Sequence, residues 1–392
     1  MSEDHSPSGS NGASAMAFRC AQCNGEMSYD ASRQAMACGH CGHVQGVPRS
    51  EGRQAIVEYD LERGLAMSRQ RGYGTQVKTS QCQECGASVS FSPQATAAEC
   101  DFCGSSQVLH QDENRNVIRP ESLVPFRVAR DDASDKFASW IRKLWFRPSD
   151  LKHKARVAGM NGVYVPYWTF DAAVHSDWTA QAGYYYYETE TYTERDSEGN
   201  VVTKTRQVRR TRWEPAWGAR NDSFDDVLVC ASRGLPEKLE RKIRSFDTAA
   251  LVPYEPSYLA GWKAEEYAVE LNDGWRKALA HMESVQERRC SHDVPGDTQR
   301  FLHVTSTFSD ETFKHVLLPI WISSYRYRGE VYRFLVNGQT GQVTGKAPLS
   351  VVKIALFTLF IAAVIAGIIL WLQLGKAPPD PPPQPPPASL DY

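Results

Sequence analysis

The sequence predicts an α+β fold: two small zinc ribbons at the amino end, an aromatic-rich antiparallel β body with packed helices, and one C-terminal transmembrane helix. Three observations carry that expectation. Eight of the ten cysteines obey one repeated spacing, C-x2-C-x14-C-x2-C. Phe, Trp and Tyr make up 11% of the chain, which favours strands with one buried face. Residues 354–374 read IALFTLFIAAVIAGIILWLQL, without a charge and with only Thr358 and Gln373 as polar side chains.

The predicted units follow in order: a disordered leader (1–17), zinc ribbon 1 (18–47), a linker (48–79), zinc ribbon 2 (80–110), an α+β domain (117–346), the transmembrane helix (351–374) and a Pro-rich tail (376–392). The leader is Ser/Gly-rich and lacks the basic start and apolar core of a secretory signal. A net charge of −2 over 392 residues gives no global pull toward nucleic acid.

Cys20, Cys23, Cys38 and Cys41 form the first cysteine set, and Cys82, Cys85, Cys100 and Cys103 the second. Two thiolates separated by two residues on a tight turn both reach one Zn²⁺ at about 2.3 Å, and two such turns complete a tetrahedron. Each set is therefore expected to hold one structural Zn²⁺, with no position left for water. His40 and His43 are alternative ligands, and Cys38-Gly-His-Cys41 has the spacing of a thiol–disulfide exchange motif, but a second cysteine pair at matching distance favours the metal. Gly25, Gly39, Gly42, Gly86 and Gly104 are expected to supply positive φ in the knuckles. Ribbon 2 contains no Lys or Arg, and ribbon 1 balances Arg19 and Arg33 against Glu26 and Asp30. Neither has the cation density that phosphate binding needs, which favours protein contact. Residues 56–65 (IVEYDLERGL) read as a short amphipathic spacer.

In the body, residues 123–128 (LVPFRV) read as a strand, followed by a helix capped by Asp131 or Asp132. Phe137, Trp140, Ile141, Leu144 and Trp145 give that helix one apolar face, and Pro148 is expected to end it. Residues 162–172 (GVYVPYWTFDA) read as a strand, and residues 184–212 as a long hairpin. One arm of the hairpin carries Glu188, Glu190 and Glu194; the other carries Lys204, Arg206, Arg209, Arg210 and Arg212. Paired across the strands, these are a salt ladder; unpaired, residues 204–212 are a basic arm for nucleic acid or anionic lipid. Leu235-Pro236 opens a short helix, residues 264–289 read as a longer one, and residues 301–308, 315–327 and 330–337 as strands. Val316-Leu-Leu-Pro-Ile-Trp321 echoes Val163-Tyr-Val-Pro-Tyr-Trp168, which raises an internal duplication. Cys230 and Cys290 stand apart from any motif.

No nucleophile elbow, HExxH or phosphate-cradling glycine loop occurs, so a non-enzymatic role is expected. The rival is a site assembled from distant residues such as His175, His281 and His303. Residues 354–374 are long enough to cross about 30 Å of hydrocarbon. Lys346 and Lys353 before the span and Lys376 after it agree weakly with a cytoplasmic body. Ala363 and Gly367 form a small-xxx-small pair that permits a homo-oligomer. PPDPPPQPPP in the tail reads as a stiff polyproline spacer or a recognition peptide.

The cysteine knuckles, VYVPYWTFDA and VLLPIWISSYRYRGEVYRFLVNGQTGQVTGKAP before an apolar helix together resemble bacterial membrane-anchored proteins with TFIIB-type zinc ribbons. Members are sometimes labelled primosomal helicase or replication proteins, but no helicase motor motif is present in this chain. The resemblance implies a non-enzymatic, envelope-associated adaptor. With the late apolar helix as the first topogenic element, the body is expected to stay in the cytoplasm at the inner membrane, with the tail on the far side. It implies partners such as SPFH-type, virion-core-like or PspA-type membrane proteins.

Overall fold

The computed structural model describes residues 18–47, 55–67, 78–82, 85–91, 100, 102, 108–111, 118–148, 159–195, 197, 199–327 and 330–374. The leader, much of the 48–79 linker, Cys103, Gly104 and the Pro-rich tail lie outside them.

The first cysteine set sits on a three-stranded antiparallel sheet of β1 (Met27–Asp30), β2 (Ala35–Cys38) and β3 (Val44–Gln45). The stretch expected to be a spacer instead docks: β4 (Tyr59–Asp60) pairs with Thr312 and Phe313, and α1 (Leu61–Met67) buries Leu61. Gly64 of α1 lies against the Phe313 ring, where a Cβ has no room. The second set belongs to β5 (Lys78–Cys82), β6 (Ser88–Phe91) and β7 (Val108–Gln111), with β5 in the middle.

The body begins with β8 (Ser122–Leu123) and α2 (Arg130–Arg142). Neither Asp131 nor Asp132 caps α2; Ala129 is the N-cap, and both carboxylates lie in the first turn, where they face the helix dipole. The apolar face holds at Phe137 and Ile141, which are buried, but α2 stops at Arg142, well before Pro148, and leaves Trp145 outside the helix and 72% exposed. Then come β9 (Asn161–Arg195), β10 (Val201–Cys230), α3 (Glu237–Ile243), β11 (Val252–Pro253) and β12 (Lys263–Glu265). They are followed by α4 (Leu271–Asp293), β13 (Thr298–Tyr327), β14 (Glu330–Asn337), β15 (Val343–Gly345) and α5 (Val351–Leu374).

Two sequence expectations change here. The strand expected at 162–172 and the first arm of the hairpin are one strand of 35 residues, and the strands expected at 301–308 and 315–327 are one strand of 30. Bulges at Phe224/Val227, Arg300/His303 and Ser309/Thr312 absorb the breaks in the pattern. Asp226, Phe301 and Asp310 take positive φ at these bulges. The helix expected at 264–289 starts later, at Leu271, because Lys263–Glu265 is claimed by pairing with β6 and β9.

β10, β9 and β13 form an antiparallel ribbon, and β9 alone extends about 115 Å along its course. β13 leaves it at Thr298, opposite Gly183. Beyond that point β9 and β10 continue as a two-stranded hairpin to Arg195 and Val201, about 40 Å of unsupported ribbon.

The echo noticed in the sequence sits on a local two-fold axis. Val163 to Trp168 pair antiparallel with Ile320 to His315, centred on Val165 and Leu318. The surroundings repeat. β8 runs parallel to β13 through Ser122↔Val316, as β12 runs parallel to β9 through Lys263↔Val163. Trp321 Nε1 donates to the Val128 carbonyl at 2.9 Å, and Trp168 Nε1 to the Val269 carbonyl at 2.9 Å. Each of these valines precedes a helix by two residues, α2 and α4 respectively. Gly338 N–H donates to Pro319, and Ala231 N–H to Pro166. Two βαβ-hairpin units therefore interlock, each lending a short strand to the edge of the other. Their core is aromatic: Phe126 stands edge-on to Trp321 at 5.2 Å, and Tyr267 is tilted against Trp168 at 5.0 Å. α4 crosses close over Trp168 because Gly274 has no side chain; a Cβ there would stand 2.7 Å from the indole.

Candidate metal centres

Every described knuckle is closed by the same two backbone bonds. In the first, Cys20 N–H donates to Gly25 and Asn24 N–H donates to Cys20, at 2.8 and 2.9 Å. In the second, Cys38 bonds His43 and Gly42 bonds Cys38; in the third, Cys82 bonds Ala87 and Gly86 bonds Cys82. The residue just after the second cysteine of a pair carries the positive φ: Asn24 at 58°, Gly42 at 74° and Gly86 at 73°. Gly25 and Gly39 have no positive φ, contrary to expectation. Asn24 replaces glycine at the turn because its short polar side chain tolerates the left-handed region. Gly25 is needed for space instead, since a Cβ would lie 3.2 Å from Cys23 Sγ.

These turns bring Cys20, Cys23, Cys38 and Cys41 together, with all four Sγ atoms within 4.8 Å of one another. Cys20 lies 3.6 Å from Cys41, and Cys23 3.5 Å from Cys38. Sulfurs on a tetrahedron around Zn²⁺ stand about 3.8 Å apart, whereas a disulfide is about 2.05 Å, so the spacing suits a metal and not a covalent bridge. The electrostatics agree. Amide N–H groups of Cys41 and His40 aim at the Cys38 sulfur and pull its thiol down to about 6. At Cys23 the Gly25 amide also pulls down, but the crowding sulfurs of Cys41 and Cys38 outweigh it and push that thiol up to about 12. Four thiolates at this separation repel one another, and a divalent cation is what lets them ionise together. In the second set Cys82, Cys85 and Cys100 converge in the same way, with Cys85 3.6 Å from Cys100. Cys103, the fourth expected ligand, lies outside the described residues. Both sets are geometrically compatible with a bound metal. Among the described residues no histidine joins either convergent group, so His40 and His43 are not brought in as ligands.

Neither ribbon stands apart from the body. Tyr29 N–H donates to Ala260 at 3.0 Å, Trp262 Nε1 donates back to the Tyr29 carbonyl at 2.9 Å, and Gln34 Nε2 reaches the Phe126 carbonyl at 2.6 Å. Cys20, Met27, Tyr29 and Met36 share one buried cluster with Phe126, Phe137 and Trp321. Ribbon 2 joins the main sheet through Ser90↔Ala264, and its Phe102 is fully buried against Gly234. The outer rim of ribbon 1, with Cys23 and Cys41, stays exposed.

A third convergent group has no sequence signature. Asp171, Asp225 and Asp226 meet at the bulges. Lys314 enters this group from β13, with Nζ 2.8 Å from Asp226 and 2.9 Å from Glu58. Burial works against its charge, but the hydrogen bonds it donates to Asp226 and Glu58 prevail and push the ammonium up to about 12. Burial raises the Asp171 carboxyl above its ordinary range, against a 2.6 Å hydrogen bond from the Asp226 amide. The lysine supplies the positive charge that a metal would, which makes the group a structural ion cluster.

Along the hairpin the basic arm is matched by the acidic one. Lys204 meets Glu194 at 2.9 Å, Arg206 meets Glu190 at 3.0 Å, and Arg210 bridges Glu188 and Glu190. Arg209 lies over the Tyr185 ring and Arg212 over Tyr184. His175, His281 and His303 occur in none of the convergent ligand groups among the described residues.

α5 is long and apolar enough to cross a membrane, and none of its span is buried in the protein. Its base is clamped to the segment that follows α2. Ser350 N–H donates to Phe146, Lys353 Nζ donates to the Arg147 carbonyl at 2.8 Å, and the Arg147 guanidinium donates to Ala347.

No family model matches the chain, and no solved structure matches it. Among curated proteins, the chain is similar to an uncharacterised protein of Bacillus subtilis (strain 168), YdjG: the two are 26% identical over 343 residues, covering 87% of this chain and 92% of that protein.

Proposed function

We propose that the chain is a membrane-tethered scaffold that recruits protein partners to the bacterial envelope. Its body lies in the cytoplasm at the inner membrane, α5 crosses the bilayer, and the tail emerges on the far side. Two structural Zn²⁺ ions hold the ribbons as walls of the body. The observation that carries this reading is α5: an apolar helix of 24 residues, bare along its length and rigidly clamped at its base. Left in water, such a surface is a large unpaid cost; in hydrocarbon it is at rest.

The recruiting surface is the projecting hairpin. Past Gly183 both its edges lack a neighbouring strand among the described residues, and it exposes Tyr185, Tyr186, Tyr187 and Tyr192. Aromatic and arginine side chains on an open strand edge suit a protein partner. The resemblance to membrane-anchored TFIIB-type zinc-ribbon proteins supports the same role and points to SPFH-type, virion-core-like or PspA-type partners. The ladder of paired charges along residues 204–212 argues against a phosphate-binding arm.

The test is crosslinking in intact cells followed by carbonate washing of the membranes. The expected result is a chain that stays with the membrane and crosslinks to a protein partner through the hairpin. Deleting residues 184–212 should remove the crosslink and leave the membrane association. A chain released by carbonate, or one whose crosslinks survive that deletion, refutes the reading.

A further inference from the structure

A cavity of about 160 Å³ opens where α5 leaves the body. Arg142, Arg147 and Lys353 line it together with Ile141, Leu144 and Trp145. Among the described residues no carboxylate lines it, and none pairs with any of the three cations. Lys353 spends one of its three donors on the Arg147 carbonyl, and Arg147 spends part of its guanidinium on Ala347. These bonds fix the two cations at the rim and leave further donors for a ligand.

The surroundings describe that ligand. Trp145 is 72% exposed, and Phe357, in the second turn of α5, stands edge-on to Trp145 at 6.4 Å and to Phe146 at 5.2 Å. An indole left bare beside the first turns of an apolar helix belongs at the headgroup layer of a bilayer. Three cations in a concave site at that depth match an anion that resides there. We infer that this cavity binds the phosphate headgroup of an anionic phospholipid and so orients the body on the membrane. The inference rests on α5 spanning a bilayer, as proposed above. Basic pockets beside membrane helices hold lipid headgroups through charge and donor number together.

The test uses the full chain in nanodiscs of phosphatidylcholine and phosphatidylglycerol, with retained lipid measured by mass spectrometry after mild delipidation. Wild-type protein should keep phosphatidylglycerol in preference to phosphatidylcholine. Arg142→Gln, Arg147→Gln and Lys353→Gln should each cut that preference about fivefold. Arg130→Gln, at the other end of α2, should leave it unchanged. Lys353→Arg should restore most of it. Retention unaltered by all three substitutions overturns the inference, as does complete displacement of the lipid by inorganic phosphate, which marks a simple ion site. An acidic protein segment recovered at these residues in place of lipid overturns it too. Carbonate resistance of the same variants reports separately on the membrane span. If the chain washes off, the spanning reading has failed; if it stays but shows no headgroup preference, only the cavity assignment has.

Discussion

Replacing Lys314 by methionine isolates the ion cluster that no sequence pattern announces. The lysine side chain is only 6% exposed, and its partners Asp171 and Asp226 are 14% and 16% exposed. Glu58, at 48%, contributes little because water screens it. Methionine keeps the length and apolar contacts of the stem but removes the charge, leaving two sheltered carboxylates facing each other. Stranding a buried charge in this way costs about 3–5 kcal/mol. That lowers the melting midpoint of a protein this size by about 5 °C. The pH dependence carries the sign. Lys314 has its folded value pushed up to about 12, so wild-type stabilisation is complete below the ordinary lysine range and is lost as pH rises through about 12. Asp171 is already raised by burial with the lysine present, and loses its counter-charge in the variant. Its proton is then bound more tightly in the folded than in the unfolded state, so the variant regains stability as pH falls below neutral. Thermal unfolding followed by circular dichroism from pH 5 to pH 8 measures the deficit of the variant and its recovery in acid. The double variant K314M/D226N should recover much of the loss at pH 7. A variant that melts within about 2 °C of wild type, or whose deficit widens on acidification, refutes the reasoning.

Zinc analysis of the purified chain should return two ions, and Cys20→Ser with Cys38→Ser should return one, since the two sets are separate clusters. Gly234→Val would drive a Cβ to 2.7 Å from Ala87 and Phe102, costing about 1–3 kcal/mol and loosening ribbon 2. Its readout is faster loss of a single zinc to a chelator. Replacing residues 184–212 by an Asn-Gly turn should move the melting midpoint by no more than a few degrees, because past Gly183 the two arms pair with each other and reach the rest of the described body mainly through the Tyr185 amide, which donates to the Asp297 carboxylate at 2.7 Å. Phe301→Asn should stabilise by about 1 kcal/mol, since Phe301 is 75% exposed and held at φ 56°. Equilibrium denaturation checks it.

The local chemistry of this protein is legible in its linear order. Cysteine pairs at fixed spacing must turn back on themselves, and the turns close as expected, even where Asn24 stands in for glycine. An uncharged run of helical length makes a helix wherever it lies, and α5 follows its run. Alternating aromatic stretches made strands, and Glu190 faces Arg206 because an antiparallel register leaves no other choice. The limits of elements were less legible. β9 runs on through positions that look like a break, since pairing with both β10 and β13 outweighs weak local propensity. Residues 263–265 have the composition of a helix start but form a strand once β6 and β9 offer them hydrogen-bond partners.

Contacts between distant segments were decided by the tertiary structure alone. Nothing near Lys314 in sequence points to Asp226, and nothing in the ribbons announces that Tyr29 would meet Trp262 or that Phe102 would fill the space over Gly234. The short echo between Val163 and Val316 became meaningful only when the chain set the two segments side by side about a two-fold axis. The physical reason is range. Backbone turns, helical period and hydrophobic length are written within a few residues of one another. Burial and charge pairing depend on which surfaces the whole chain brings together.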